Sequence, residues 1–277
     1  MLGKDFGHQR WNPSSCYVIL LPVSVATVVV VLCVGQCVAM LVFLEAGYRL
    51  GRRHHPETPH KGLGTIEAAV FALLGLLLGF AFSGSMARLD ARRQLIIREA
   101  NAIGTAYLRI DLLPSSAQPE MRRLFRTYLE ARLRAYESLA AEGAAEPALA
   151  QASTLQQRIW GHAVESSRQD PTQTTARIVL PALNEMIDVT MARTVAWRTR
   201  LPTLIVALLL GVALFSALIA GYAMAERTRR SPLHVLSFAV IVSLTIYTVL
   251  DLDNPRVGLI RLDTTEQILK QLHDSIR

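Results

Sequence analysis

The charged side chains that could do chemistry lie at the ends of long uncharged stretches. They form two groups that are far apart in the sequence, Arg88, Arg92 and Arg93 in one and Asp251, Asp253 and Arg256 in the other. Guanidinium and carboxylate groups at the edge of an apolar stretch can pair with each other and so lock helices together. Alternatively, a ring of such arginines can attract anions at the mouth of a pore. The residues alone leave both interpretations open.

Two short segments resemble metal sites but lack features that a metal ion needs. The segment "RRHHPETPH" holds His54, His55 and His60 near Glu57, yet its prolines and basic neighbours favour a solvated loop over zinc-ligand spacing. The segment "DLDNPRVG" begins like a calcium loop, but Pro255 stands where the fifth-position oxygen ligand should be. We therefore predict that the protein holds no metal ion and no cofactor.

The sequence shows neither an enzyme motif nor a nucleic-acid motif. A zinc-binding His-Glu helix, a nucleophile elbow and a Walker loop are all missing, so we predict no catalytic residue and no enzyme activity. The net charge of +7 could attract nucleic acid, but the arginines cluster beside apolar stretches. Anionic lipid headgroups explain that placement more simply, so the predicted partner is the lipid bilayer and not nucleic acid.

Four apolar stretches have the length and composition of membrane spans. They lie at about 16–44, 65–86, 202–225 and 233–250, and each approaches or exceeds the roughly 20 residues that cross a bilayer. An even number of spans places the N-terminus, the C-terminus and the section between the second and third spans on one side of the membrane.

The section between the second and third spans has the spacing of amphipathic helices. Its first stripe comprises Leu89, Ile96, Ala100, Ile103, Tyr107 and Ile110, with Arg88, Arg92 and Glu99 expected off the stripe. Two further helices follow, and a fourth is expected to bury Ile178, Leu183, Ile187 and Met191. No proline interrupts the chain between the second span and the first of these helices, so we predict one continuous rod.

The predicted fold is therefore all-α: an integral membrane protein with four transmembrane helices and an inserted helical domain. The expected parts are a tail at 1–15, two spans within 16–86, an extramembrane helical domain at 87–200, two spans within 201–251 and a C-terminal segment at 252–277. Within the second span, Gly75 and Gly79 form a GxxxG pattern that Ser83 extends. Small residues at this spacing are typical of close helix packing in membranes.

Three blocks of the sequence resemble one known family. The blocks "EAGYRLGRR", "GLLLGFAFSGSMARLDARRQLIIREANAIGTAYLRIDLLP" and "DLDNPRVGLIRL" are similar to the bacterial bestrophin-like family, formerly described as a domain of unknown function. The resemblance covers nearly the whole chain and implies a helical membrane protein with four spans. It also implies a distant relationship to true bestrophins, which are pentameric anion channels.

The resemblance suggests which residues would line a pore. Bestrophins narrow their pore with bulky apolar residues one turn apart on the second span, and here Leu76 and Phe80 match that spacing while Gly84 departs from it. The implied protein is a homo-oligomer, a pentamer in the family's form, that conducts anions through a hydrophobic constriction. By the same resemblance it lies in the cell membrane, the inner membrane of a bacterium, with its helical domain and both termini in the cytoplasm.

A second function is compatible with the same sequence. A helical domain between membrane spans also suits a sensor or scaffold protein that contacts a partner and transports nothing. Calcium gating is not expected, because the long acidic run that true bestrophins use for calcium is missing.

Overall fold

The structure is a computed structural model that describes residues 25–53, 63–138, 145–171, 173–225, 232–254 and 263–276. Eight α-helices lie within these ranges: α1 (Val25–Arg53), α2 (Leu63–Leu108), α3 (Gln118–Ser138), α4 (Glu146–Arg168), α5 (Leu180–Arg198), α6 (Thr203–Met224), α7 (Pro232–Asp253) and α8 (Asp263–Ser275). A 3-10 turn (Arg109–Leu112) ends α2, and a π-helical turn (Thr175–Val179) precedes α5. The described part of the chain holds no strand, so the predicted all-α fold is confirmed.

Four helices, α1, α2, α6 and α7, are long and apolar enough to cross a membrane, which confirms the predicted number of spans. The helix α1 differs from the predicted first span because it continues past Leu44 to Arg53. The polar end of α1 packs against α6 through Gly47 and Gly51, and Arg49 adds a hydrogen bond of 2.9 Å to Glu45 across one turn. The tail at 1–15 and the start of the predicted span lie outside the described residues.

The four spans alternate in direction, so that one end of each span lies on the side of the helical domain. Near the domain, the Leu201 N–H just before α6 donates to the Asp253 carboxylate at the end of α7. At the opposite end, Gly51 of α1 lies against Tyr222 near the end of α6. Thus α1 and α6 run away from the helical domain, whereas α2 and α7 run toward it. The first described residues of α1 and the end of α7 lie on the domain side, as an even number of spans requires.

Close backbone contact between α1 and α6 depends on three glycines. A Cβ atom on Gly51 would lie 2.6 Å from Cβ of Ala225 and 2.8 Å from the Tyr222 carbonyl oxygen. A Cβ atom on Gly47 would overlap the Leu218 carbonyl, and one on Gly221 would overlap the Leu44 carbonyl. Only a residue without a Cβ lets the two backbones approach this closely. By contrast, a Cβ on Gly75 or Gly79 of α2 would meet no atom within 4 Å.

The helix α2 is one unbroken helix of 46 residues. At 1.5 Å per residue it is about 69 Å long, more than twice the hydrocarbon thickness of a bilayer. Its first half packs against α6 and α7, and its second half enters the helical domain. The predicted rod that joins the second span to the domain is therefore present.

The second half of α2 forms the centre of the helical domain. Leu89, Ile96 and Ile103 are buried there among side chains of α3, α4 and α5. The helix α8 joins this core from the C-terminal end of the chain through Leu269, and Ile276 follows just beyond it. The extramembrane core thus combines the section between the spans with the last helix.

Four expectations about the side chains that the domain helices bury are wrong. Arg92 was expected off the apolar stripe of α2 and is only 4% exposed, whereas Ile178 was expected inside and is 40% exposed. Glu99 was expected off the apolar stripe of α2, but it is fully buried, because it lies seven residues after Arg92 and four before Ile103, on the same face. On α5, Met191 was expected inside and is 69% exposed. The buried face of α5 carries Thr190 and Arg193 instead, and two polar residues hid that stripe from a hydrophobicity pattern.

Candidate functional site

One face of α2 has no partner within the described part of the chain. The residues Gly75, Leu76, Gly79, Phe80 and Ser83 are all exposed, and Phe80 is exposed to 68%. Leu74 and Ala81, on the opposite face, are buried against the other spans. The predicted constriction residues and the predicted packing glycines therefore lie on one outward surface, which we call the α2 outer face.

Gly84 continues the α2 outer face by one turn toward the domain. It is partly buried, and a Cβ atom placed on it would lie 3.5 Å from Nη1 of Arg88. The turn after Phe80 therefore presents a small residue beside a guanidinium group, not a third bulky apolar side chain.

Below that turn, Asp253 joins three helices at the junction between the spans and the domain. The Arg88 Nε of α2 donates to Asp253 Oδ1 at 2.8 Å, and the Leu201 N–H ahead of α6 donates to Oδ2 at 2.7 Å. Asp253 itself closes α7 and is buried. Both carboxylate oxygens are thus engaged, and the middle of α2, the start of α6 and the end of α7 are held together.

Arg92 lies one turn further along α2 and binds only backbone oxygens. Its guanidinium donates to the carbonyls of Ala196, Thr199 and Asp253 at 3.2, 2.7 and 3.0 Å. These carbonyls belong to the last turns of α5 and α7, where a cation compensates unpaired carbonyl groups. Arg92 is only 4% exposed. Its placement therefore ties α2 to the ends of two other helices.

The remaining members of the predicted cluster lie elsewhere. Asp251 is buried on α7, where it is a hydrogen-bond partner of Tyr247 one turn earlier. Arg93 is half-exposed and lies 3.6 Å from Asp90 on its own helix. Arg256 lies outside the described residues. Within the described chain, then, the geometry links α2 to α7 through Arg88, Arg92 and Asp253.

A second charged cluster, which the sequence analysis missed, lies inside the helical domain. Glu99 of α2 accepts hydrogen bonds from Arg132 of α3, at 2.9 Å from Nε, and from Arg193 of α5. The Tyr136 hydroxyl donates to the same carboxylate at 2.8 Å. We call Glu99, Arg132, Tyr136 and Arg193 the Glu99 cluster.

The Glu99 cluster places two guanidinium groups around one carboxylate. Glu99 is 0% exposed and Arg132 is 2% exposed. The Arg193 guanidinium lies 3.5 Å from the centre of the Tyr136 ring, a cation–π contact. Burial of the extra positive charge is offset by this ring and by the hydrogen bonds, and the cluster fixes α2 against both α3 and α5. The available signal was the spacing of Arg92, Ile96, Glu99 and Ile103 along one helix face.

A neutral hydrogen-bond chain lies beside the Glu99 cluster. The Tyr128 hydroxyl is within 3.0 Å of the Thr190 hydroxyl, and Gln156 Nε2 donates to Tyr128 at 3.1 Å. Burial is the main cause that raises the pKa of Tyr128 to about 12. Tyr128 is therefore a neutral donor or acceptor at any physiological pH.

The described ranges contain no group of three or more His, Cys, Asp or Glu residues that could hold a metal ion. The histidines of "RRHHPETPH" and Pro255 lie outside those ranges. What the two clusters offer chemically is charge pairing and anchoring of α2. No arrangement of a nucleophile with a base accompanies either cluster.

Comparisons with known proteins agree on the family. The model of the Bestrophin-like domain matches residues 35–266. No curated protein matches the chain at a significant level of sequence similarity.

Solved structures share the fold at low sequence identity. A variant of a bacterial bestrophin homologue from Klebsiella pneumoniae superimposes with a TM-score of 0.64 at 13% identity, over 89% of this chain and 98% of that chain. A second variant gives a TM-score of 0.62 at 14% identity, over 88% and 98% of the two chains. The family match extends over most of the sequence, from within α1 to within α8, and the fold agrees with it. The chain therefore belongs to the bestrophin-like family.

Proposed function

We propose that the protein is an oligomeric anion channel in which α2 of each copy lines the pore. The observation that carries the proposal is the α2 outer face, which combines small residues with Leu76 and Phe80 and has no partner within the described chain. Small residues such as Gly75 and Gly79 let further helices approach closely. Membership of the bestrophin-like family supports the same arrangement, because true bestrophins are anion channels built from several copies.

In this proposal Leu76 and Phe80 form a hydrophobic constriction. A ring of apolar side chains can stop ion flow by excluding water, and it opens when the ring widens. Gly84 leaves the pore wider on the domain side of the constriction. Since α2 continues into the domain as one helix, a movement of the domain is transmitted to the constriction.

The anion preference is assigned to exposed arginines of α2 and not to the junction. Arg88 and Arg92 are engaged with Asp253 and with backbone carbonyls. Arg98 is exposed on the same helix and forms no ion pair within the described ranges. Arg93 forms only a long, half-exposed ion pair with Asp90, at 3.6 Å. Copies of these two side chains around an axis would create a positive potential at the pore mouth.

We further propose that the protein lies in the cell membrane, the inner membrane of a bacterium, with the helical domain and both termini in the cytoplasm. The arginines of the domain side and those near Arg52 and Arg53 give opposite indications by the positive-inside rule, so family architecture supports the choice. The proposal assigns no catalytic role to any residue.

Reconstitution tests the proposal. Purified full-length protein in liposomes should release trapped chloride faster than protein-free vesicles and should prefer anions over cations. Phe80→Ala should raise the flux, because a smaller ring is easier to wet, whereas Phe215→Ala on the exposed face of α6 should not. Arg98→Glu should lower the anion preference. Vesicles that stay tight at high density of folded protein would exclude channel activity.

A sensor or scaffold function is the second candidate, and exposed apolar side chains of the domain favour it. Leu108 is 71% exposed, and Val195 is 58% exposed. Large apolar residues outside the membrane often mark contact surfaces. Tight vesicles together with a stable complex between the domain and a separate protein would support this function instead.

A further inference from the structure

A cavity of about 390 Å³ lies between α4 and α5, and none of its lining residues belongs to either charged cluster. It is lined by Ser153, Gln156, Gln157 and Trp160 of α4 and by Asn184 and Ile187 of α5. A volume of this size is within the usual range for small-molecule sites, and the mixture of an aromatic ring with a few polar groups is typical of them. The pore of the proposed channel makes no use of this cavity.

The lining of the cavity carries polar groups but no charge. The side chains of Ser153 and Gln157 are exposed and make no hydrogen bond within the described part of the chain. Asn184 donates through Nδ2 to Asp188 at 2.8 Å, which leaves its carbonyl oxygen available. Amide and hydroxyl groups both donate and accept hydrogen bonds, and the absence of a charged lining residue disfavours phosphates, carboxylates and amines.

We propose that this cavity binds a small neutral sugar. Each sugar hydroxyl both donates and accepts hydrogen bonds. It can therefore bond to the three side-chain amides and to the Ser153 hydroxyl whichever of their donor or acceptor atoms faces the cavity. The apolar face of a sugar ring can pack against Trp160 and Ile187, which supply aromatic and aliphatic surface. The proposal goes beyond channel function and does not depend on it, because binding is measured without ion flux.

The cavity is connected to the domain core by hydrogen bonds. Gln156 lies in the cavity wall and donates to Tyr128, whose hydroxyl also meets Thr190 of α5. A sugar that bonds to Gln156 therefore acts on the contact that holds α3, α4 and α5 together. Bound sugar should raise the midpoint of thermal unfolding, since it binds the native state and not the unfolded chain.

The test is saturation-transfer NMR with glucose and maltose on the full chain in lipid nanodiscs. Maltoside detergents are avoided, because their headgroup is itself a sugar. Maltose should bind, and Gln157→Ala and Asn184→Ala should each weaken binding about tenfold, as expected for the loss of one hydrogen bond. Both side chains are exposed, so these variants should fold. Gln94→Ala on α2 should bind as the unaltered protein does, because the Gln94 side chain is exposed and makes no hydrogen bond to any residue that the structure describes.

Three binding results and one labelling result would overturn the proposal. The first is no sugar binding at millimolar concentration, and the second is equal binding by the cavity variants and the Gln94→Ala control. The third is preferential binding of adenosine, which would assign the cavity to a different ligand class. A Gln157→Cys variant in a background without other cysteines adds a check on access. If a bulky maleimide cannot label it without sugar, another copy of the chain covers the cavity and the proposal fails.

Discussion

Glu99 and Arg193 are separated by 94 residues in the sequence and form a buried ion pair in the structure. The pair joins two helices that connect the domain to the membrane. The helix α2 runs from the second span into the domain, and α5 leads from the domain to the third span. Arg132 pairs with the same carboxylate. Among the described residues, Glu99 is the only carboxylate in contact with the guanidinium group of Arg132 or of Arg193. One acidic side chain of α2 thus anchors both buried arginines of the domain core, in addition to the apolar contacts of that helix.

Replacement of that side chain should therefore destabilise the protein strongly. Glu99→Gln leaves two buried guanidinium groups without a counter-charge, and breaking a buried pair costs about 3 to 5 kcal/mol. Thermal or chemical unfolding in a mild detergent measures the loss. Glu130→Gln, on the exposed face of α3, is the matched control and should change stability by less than about 0.5 kcal/mol. Equal stability of the two variants would show that the cluster contributes nothing.

The junction pair Arg88 and Asp253 should show energetic coupling. In a double-mutant cycle with Arg88→Ala and Asp253→Ala, we expect a coupling energy of about 1 to 3 kcal/mol, because Asp253 is buried and the contact is 2.8 Å. The exposed pair Arg93 and Asp90, 3.6 Å apart, serves as the reference and should couple by less than about 1 kcal/mol. Additive effects at Arg88 and Asp253 would contradict the link between α2 and α7.

These two clusters differ in how far the sequence could reveal them. Hydropathy is a local property, so four spans and a continuous α2 followed from composition alone. The contact of Arg88 and Arg92 with Asp253 was also within reach of the sequence, because an even number of spans brings the ends of the second and fourth to the same side. The Glu99 cluster could not be predicted in this way, because its members come from three helices. A single sequence does not show which distant residue pairs with a charged residue on an apolar stripe. The same reason hid Arg193 next to the exposed Met191.

The α2 outer face shows a different limit. The pattern of Gly75 and Gly79 predicted close packing but not the partner, and the described chain supplies none. Within the described chain the close contact belongs to Gly47 and Gly51 of α1 and to Gly221 of α6. Gly47 and Gly51 also form a GxxxG pattern, but they lie beyond the predicted end of the first span and were not singled out. The described residues therefore leave the partner of the outer face open, and a spacing pattern cannot name it.

Alkaline pH should weaken the domain through Tyr128. Its pKa is raised from 10.0 to about 12, so the buried neutral phenol contributes its full stability below pH 10. As the pH rises from about 10 to about 12, the unfolded chain ionises first and roughly 3 kcal/mol of stability is lost. Tyr128→Phe should lack this component, so the two unfolding free energies should converge or cross over that range. Parallel pH profiles would show that Tyr128 is not buried as a neutral group.

The last prediction concerns whether the α2 outer face meets other copies. A Gly79→Cys variant, in a background without other cysteines, should form disulfides between copies in native membranes, because helices that line one pore bring equivalent positions near a common axis. Gly211→Cys on α6 is the matched control, since Gly211 is also an exposed glycine with nothing within 4 Å of a Cβ atom. Mild oxidation followed by non-reducing electrophoresis gives the measurement. A cross-linked band with Gly79→Cys alone supports a shared pore, whereas equal cross-linking at both positions indicates random collision in the membrane. If Gly79→Cys gives no cross-linked band under the same oxidation, this face is covered by lipid. The pore would then have to be placed elsewhere.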